Sequence, residues 1–205
     1  MKVKICGIKT VEEAQLVAKE RPDFIGVVLA PSKRRVKLQT VREITDSLKG
    51  TGIKVVGVYV NPTKEEADAG LNEGGLDYIQ FHGDESKEFV EQYKGHAIKA
   101  FPSNSELSYS ERFDFKADYI LIDSPREEYY GGSGVTFNWS ELPLETIDRS
   151  RLALAGGLNP DNIAEAAEQV KPALIDVSSG VETGGEKDPD KVRAFIKNIR
   201  GGHND

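Results

Sequence analysis

The sequence predicts a single α/β domain, residues 1–205, folded as a (β/α)8 TIM barrel with eight parallel strands. Eight short apolar runs alternate with helical patterns, and alternation at this spacing is typical of a parallel sheet with right-handed crossovers. Eight such pairs close a barrel. No linker or shift in composition divides the chain, which favours one domain.

The expected strands come from these apolar runs. An open doubly wound sheet is the competing fold, because it uses the same alternation. A glycine-rich dinucleotide fingerprint after the first strand would favour that sheet, and Gly7 alone does not form one. The predicted strands are Lys2–Ile8, Asp23–Ala30, Lys54–Val60, Tyr78–His82, Ala97–Phe101, Tyr119–Asp123, Arg151–Ala155 and Leu174–Ser178.

Helix starts are predicted from residues whose side chains cap free backbone N–H groups. Capping boxes, in which a Glu follows the cap by three residues, mark three starts, and a proline follows the cap at two others. The helix capped by Asp84 should run through Tyr93, and the 104–113 segment and the segment holding Pro143 are weak helices. The predicted caps are Thr10, Thr40, Thr63, Asp84, Asn159 and Asp188.

Composition excludes several classes of function. The net charge is −7 with acids and bases interspersed, so we expect no nucleic-acid partner. No apolar run is long enough to span a bilayer, and we expect no membrane association. A single cysteine cannot form an internal disulfide, which favours a reducing, cytoplasmic setting. Cysteine and histidine lack metal-ligand spacing, and we expect no metal or cofactor.

Side chains alternate between the two faces of a strand. On this basis Lys4, Gln80, Lys99 and Asp176 face the barrel interior, where each needs a polar partner. We hypothesise that Asp176 pairs with Lys4 or with Lys99. An error of one residue in a strand's register would reverse its assignment.

Polar side chains stand at the carboxyl ends of four predicted strands, the catalytic rim of a TIM barrel. They are Cys6, His82, Asp123 and Ser178. Three of these residues have a purely structural alternative. A lone cysteine is more often an inert buried residue, Asp123 can cap the following loop, and His82 can be a core histidine that bonds to backbone.

Glycine-rich turns follow the last two strands. Gly156-Gly157 and Ser179-Gly180 would aim backbone N–H groups at one point, which suits a phosphate, although ordinary turns use the same residues. A basic turn at 30–35 suits a carboxylate or phosphate, although such a turn is usually solvated. The long glycine-rich loop 125–137 either closes over a ligand or is an insertion without a role. With an acid and a base at the rim, these features predict proton transfer on a phosphosugar, as in aldose–ketose isomerisation.

Eight segments in order along nearly the whole chain carry a family resemblance. The chain is similar to the phosphoribosylanthranilate isomerases of tryptophan biosynthesis. The family is a (β/α)8 barrel that rearranges N-(5-phosphoribosyl)anthranilate without metal or cofactor. The matching segments are VKICGI (3–8), SKR (32–34), GVYVN (57–61), IQFHGDE (79–85), LIDS (121–124), YGGSGVTFNW (130–139), LAGGLNPDNI (154–163) and DVSSGVE (176–182).

The resemblance implies a role for each candidate residue. Cys6 is the general base, Asp123 the general acid, and Arg34 the group that binds the anthranilate carboxylate. His82 and Asp176 have supporting roles. The residue after Arg34 is aromatic in many relatives and is Arg35 here, which changes the expected shape of the anthranilate pocket. The residues that bind phosphate are Gly132, Gly156, Gly157, Ser179 and Gly180.

The sequence also predicts a partner and leaves two alternative functions open. The expected partner is a small phosphosugar, and relatives are monomers or homodimers. One alternative is a dual-substrate isomerase shared with histidine biosynthesis, which needs a second phosphate site; residues 61–63 are its weak candidate. The other is a barrel that binds sugar phosphates without catalysis.

Overall fold

The computed structural model of the chain describes residues 1–125 and 138–201. Eight parallel strands form a closed barrel in chain order, and β8 pairs back onto β1 with Lys4 opposite Asp176. The predicted TIM barrel is confirmed and the open sheet is excluded. The strands are β1 Lys2–Cys6, β2 Phe24–Val28, β3 Lys54–Tyr59, β4 Tyr78–Phe81, β5 Ala97–Pro102, β6 Tyr119–Asp123, β7 Leu152–Leu154 and β8 Leu174–Val177.

Helices and short turns connect the strands. The helices are α1 Val11–Ala18, α2 Leu38–Ser47, α3 Lys64–Asn72, α4 Lys87–Glu91, α5 Tyr109–Phe113, α6 Ile163–Val170 and α7 Pro189–Arg200. Single 3-10 turns lie at Trp139–Glu141 and Ser179–Val181. A small antiparallel hairpin, β9 Glu182–Thr183 with β10 Glu186–Lys187, precedes α7. No helix within the described ranges has the length and apolar character to cross a membrane.

Three of the predicted caps are confirmed. Thr10 and Thr63 accept the backbone N–H three residues on, and Asp188 accepts from two N–H groups at the start of α7. The reciprocal bond of a capping box forms at Thr63. At the start of α1, Glu13 instead accepts from the backbone N–H of Lys9.

The other three cap predictions are wrong. Helix α2 begins at Leu38, so Thr40 lies inside it. Ser86, not Asp84, caps α4, which ends at Glu91. The side chain of Asn159 accepts the backbone N–H groups of Asp161 and Asn162 and so forms a turn. Helix α6 begins after that turn, at Ile163. In the predicted helix 104–113, only Tyr109–Phe113 is helical.

Apolar side chains pack in two layers. One layer lies between the strands and the helices, and the other fills the barrel interior. The interior side chains include Phe24, Val56, Ile98, Ala100, Tyr119, Leu121, Ala153, Ala155 and Leu174.

The prediction that Lys99 faces the interior is wrong. Ile98 and Ala100 point inward, so Lys99 lies on the outer face of β5, where its ammonium pairs with Glu85. Strand β5 is apolar on both faces, and the hydrophobic pattern therefore does not decide its orientation.

Candidate active site

A cleft opens at the carboxyl ends of the strands. The space between its walls, counted together with the open solvent at its mouth, is about 940 Å³. Gly132 and all but Pro125 of the loop 125–137 lie outside the described residues. The predicted site residues that line the cleft are Cys6, Arg34, His82, Asp123, Gly156, Gly157, Asp176, Ser179 and Gly180.

Cys6 ends β1, and its thiol is buried at the edge of the cleft. A side chain at Gly26 would place its Cβ 2.7 Å from Cys6 Sγ, so the thiol needs a glycine on the neighbouring strand. Burial raises the pKa of Cys6 above its ordinary value, although the ammonium groups of Lys4 and Lys187 act in the opposite direction. Lys4 favours the thiolate form of Cys6, but burial outweighs this effect.

Lys4 lies at the centre of the barrel, where it is fully buried. Its Nζ donates to Asp176 Oδ2 at 2.8 Å and to Gln80 Oε1 at 2.9 Å. The hypothesised pair between Asp176 and Lys4 is therefore confirmed. Burial disfavours the charge of Lys4, but Asp176 and Cys6 together more than offset this effect, and the pKa of Lys4 is raised.

Asp176 is a buried carboxyl group that lines the cleft. Burial raises the pKa of Asp176, and the nearby Asp123 adds to the rise, whereas Lys4 opposes it. Its Oδ1 atom is buried and has no hydrogen-bond partner within residues 1–125 and 138–201. Since Asp176 lines the cleft, this oxygen is placed to accept a hydrogen bond from a ligand hydroxyl.

Gln80 and His82 connect the barrel interior to Asp123. The side-chain nitrogen of Gln80 lies 3.0 Å from His82 Nδ1, and His82 Nε2 lies 3.4 Å from Asp123 Oδ2. The other carboxyl oxygen of Asp123 accepts the backbone N–H of Ser124 at 2.7 Å. Asp123 is thus held from two sides at the end of β6. The sequence placed Gln80 on the inward face but did not identify this connection.

Arg34 reaches the cleft from the basic turn after β2. Its Nε and Nη2 atoms donate to the two carboxylate oxygens of Glu182 at 2.8 and 2.7 Å. Lys187 Nζ lies 2.6 Å from Glu182 Oε1. Sequence analysis missed Glu182 and Lys187 as site residues, although Glu182 closes the DVSSGVE segment. Arg35 is exposed and is not among the residues that line the cleft.

The charges of Arg34, Glu182 and Lys187 affect one another's pKa values. Burial alone would raise the pKa of Glu182, but hydrogen bonds from Arg34 and Lys187 overcome it and lower the pKa to about 2. Glu182 is therefore a carboxylate near neutral pH. Burial lowers the pKa of Lys187, against the raising effect of Glu182.

The two predicted glycine turns meet at one wall of the cleft. Gly156 and Gly157 have φ angles of +88° and +63°, which favour glycine. A Cβ on Gly180 would collide with the carbonyl oxygen of Leu158, so the second turn also needs glycine. In the described part of the chain, the backbone N–H groups of Gly157, Ser179 and Gly180 donate to no protein group. Unpaired N–H groups that converge in this way suit an anion.

The fold and the site define a (β/α)8-barrel protein with a thiol, a carboxyl group and an amide-lined anion pocket in one cleft, the arrangement of a phosphosugar isomerase. The chain belongs to the phosphoribosylanthranilate isomerase family. The model of that family, described as N-(5'phosphoribosyl)anthranilate (PRA) isomerase, matches residues 3–198. The resemblance seen in the sequence is therefore confirmed.

Individual relatives agree with this assignment. The chain is 43% identical over 201 residues to N-(5'-phosphoribosyl)anthranilate isomerase of Listeria welshimeri, covering 98% of this chain and 99% of that protein. It superposes on the crystal structure of the Thermotoga maritima isomerase with a TM-score of 0.86 and 38% identity, covering 98% and 99% of the two chains. An isomerase in complex with reduced 1-(o-carboxyphenylamino)-1-deoxyribulose 5-phosphate gives 0.82 and 34% with the same coverage.

Proposed function

We propose that this protein converts N-(5'-phosphoribosyl)anthranilate to 1-(2-carboxyphenylamino)-1-deoxyribulose 5-phosphate, an Amadori rearrangement in tryptophan biosynthesis. Family membership over nearly the whole chain supports the reaction. The observation that carries the proposal is the meeting of Cys6, Asp123 and two amide-rich turns in one cleft. These groups are distant in the sequence, and the reaction needs all of them at one sugar.

Asp123 acts as the general acid in this proposal. It gives a proton to the ring oxygen of the ribose, the C1–O bond breaks, and the nitrogen lone pair forms a C1=N bond. Ser124 N–H and His82 hold the carboxyl group at the mouth of β6, which supports the assignment. A group that transfers a proton in the rate-limiting step must be held within hydrogen-bond reach of its target.

Cys6 acts as the general base. The thiolate removes the proton from C2, and the electron pair moves through C1 to the nitrogen, which gives an enol-amine. Proton transfer to C1 and loss of the enol proton then give the ketone. Hydrogen moves only within the substrate and its acid and base partners, so the reaction consumes no oxidant or reductant.

The remaining candidates bind the substrate. Arg34 binds the anthranilate carboxylate, and the free N–H groups of the two glycine turns bind the phosphate. Asp176 accepts a sugar hydroxyl through its free Oδ1, and His82 orients Asp123. A role for Gly132 in phosphate binding stays a proposal that depends on the resemblance alone.

The structure gives little support to the dual-substrate alternative. A second phosphate site at residues 61–63 would use backbone N–H groups there. The N–H of Asn61 donates to Glu85 Oε1 at 2.8 Å, and that of Thr63 donates to Glu66 Oε2 at 2.9 Å. Carboxylates already occupy these donors, and they would repel a phosphate.

The fluorescence decay of phosphoribosylanthranilate with the purified protein tests the proposal. The wild-type protein should convert phosphoribosylanthranilate, and Cys6→Ala and Asp123→Asn should each lower kcat about 100-fold or more. Both variants should still bind the reduced product analogue. Asp46→Asn, a change to an exposed carboxylate on α2, is the control and should keep full activity. Wild-type protein that binds the analogue without turnover would support the non-catalytic alternative.

A further inference from the structure

We infer that Glu182 is a positioning residue that holds Arg34 in the orientation needed to select a ligand with an aromatic carboxylate. The inference rests on the proposed function and adds a residue to it. Arg34 lines the cleft, whereas Glu182 lies behind it and is not among the lining residues. Glu182 therefore acts through the arginine and not on the ligand itself.

The pairing leaves one edge of the guanidinium for a ligand. Glu182 takes the Nε and Nη2 atoms of Arg34 in a bidentate pair. Nη1 donates to no group in the described part of the protein. Because the guanidinium is planar, fixing one edge also fixes the direction of the free N–H groups. An arginine held in this way loses little side-chain entropy when a carboxylate binds.

The aliphatic part of Arg34 is held in place as well as its guanidinium group. Gly7 has a φ angle of +87°, and a Cβ there would lie 2.5 Å from Arg34 Cδ. The arginine therefore packs directly onto the backbone that follows Cys6. Contacts at both ends leave the side chain little freedom to turn out of the cleft.

The charge of the group also suits a carboxylate. An isolated pair of Arg34 and Glu182 would be neutral, but Lys187 adds a second cation at 2.6 Å from Glu182. Lys187 is buried, and its Nζ also donates to the carbonyl of Ser178 at 3.0 Å. Arg34, Glu182 and Lys187 together carry one positive charge in excess, which a bound anthranilate carboxylate would neutralise.

The hairpin that carries Glu182 and Lys187 is tied to the segment after β1. Glu13 accepts the backbone N–H of Lys187 at 2.9 Å, and Lys9 Nζ donates to the carbonyl of Gly185 at 2.7 Å. The position of Glu182 is thus fixed relative to the cleft by bonds that do not involve Arg34.

Glu182→Gln tests the inference, because the loss of Arg34 positioning and the loss of a negative charge should change carboxylate affinity in opposite directions. The amide keeps the size of the carboxylate, but its NH2 group faces the N–H donors of Arg34 and breaks the bidentate pair. Removing a negative charge would by itself strengthen carboxylate binding. The probes are the reduced product analogue and its counterpart with phenyl in place of carboxyphenyl, titrated by calorimetry into the intact protein.

We expect Glu182→Gln to weaken binding of the carboxylate probe about tenfold or more and that of the phenyl probe less than about twofold. Retained binding of the phenyl probe also shows that the variant is folded. Glu186→Gln, on the exposed side of the same hairpin, is the control and should change neither affinity.

Three results would overturn the inference. They are unchanged or tighter binding of the carboxylate probe by Glu182→Gln, equal weakening of both probes, and wild-type protein that does not distinguish the probes. Turnover of phosphoribosylanthranilate by wild type, measured separately, shows whether the proposed function stands when the inference fails. Wild type that neither binds the probes nor turns over the substrate rejects both.

Discussion

His82 Nε2 lies 3.4 Å from Asp123 Oδ2, and a lysine deep in the barrel determines which tautomer His82 adopts. The ammonium of Lys4 can only donate, so the carbonyl oxygen of the Gln80 side chain must face it. The NH2 group of Gln80 then faces His82 Nδ1 at 3.0 Å, and this nitrogen accepts. The proton of the neutral ring is left on Nε2, directed at Asp123.

We therefore predict that neutral His82 carries its proton on Nε2 and that Gln80→Leu weakens this preference. Without the amide donor Nδ1 loses its partner, and only the 3.4 Å contact with Asp123 still favours the Nε2–H form, so the Nδ1–H fraction should rise. Imidazole ¹⁵N chemical shifts, recorded at a pH where the rings are neutral, report the tautomer directly. We expect wild type to show at least about 90% of the Nε2–H form, a ratio that one ordinary hydrogen bond supplies.

His96 is an internal control for this measurement. Its Nδ1 lies 2.9 Å from the carbonyl oxygen of Asp77, which can only accept, so this ring should carry its proton on Nδ1. Gln80→Leu should leave His96 unchanged. A wild-type His82 with its proton on Nδ1 would contradict the assignment of the Gln80 amide and the link to Lys4.

A second prediction concerns pH. Burial raises the pKa of the Cys6 thiol, and the proposed role of Cys6 as general base needs the thiolate. The pH profile of kcat/KM should therefore bend at a pH above the ordinary thiol pKa. Lys187 lowers the pKa of Cys6, and Lys187→Met should therefore move this bend to higher pH.

Initial rates measured between about pH 6 and pH 9.5 test this prediction, a range that spans the ordinary thiol pKa. The pH at which the rate changes is independent of a uniform loss of substrate affinity, so weaker binding by Lys187→Met does not imitate the shift. A bend at or below the ordinary thiol pKa in wild type, or a bend that Lys187→Met does not move, would show that Cys6 does not act as a base with a raised pKa.

The barrel and the rim residues could be predicted because both depend on local patterns. Period-two alternation places Cys6 and Asp123 on inward faces, and the ends of their apolar runs place them at the rim. The same rule failed for Lys99, because both faces of β5 are apolar and only its partner Glu85 reveals the orientation. The pattern around Thr40 predicted a helix cap there, but α2 begins at Leu38, and the local sequence does not indicate this earlier start.

Glu182 shows a second limit. It pairs with Arg34 across 148 positions in the sequence, and no pattern near either residue indicates the other. A carboxylate after a small-residue turn also resembles any solvated acid. Charge partners brought together by barrel closure therefore need the three-dimensional structure, even when each residue stands inside a matched motif.

The third prediction concerns the buried pair of Lys99 and Glu85 outside the barrel. Their side chains are 1% and 2% exposed, and the Nζ–Oε2 distance is 2.8 Å. Lys99 also donates to the carbonyl of Gly83, and Glu85 accepts the N–H groups of Asn61 and Gly83. The pair thus joins the turns that follow β3 and β4, directly after His82.

Lys99→Met should lower the free energy of unfolding by about 3–5 kcal/mol, because it leaves the Glu85 carboxylate buried without its cation. Urea unfolding measures this change. The double variant Lys99→Met/Glu85→Gln should regain part of the loss, since an uncharged amide tolerates burial better than an unpaired carboxylate. Lys87→Met, in an exposed pair with Asp114, is the matched control and should change stability by no more than about 1 kcal/mol. A loss at Lys99 as small as that control would mean that the buried pair does not stabilise the turn beside His82.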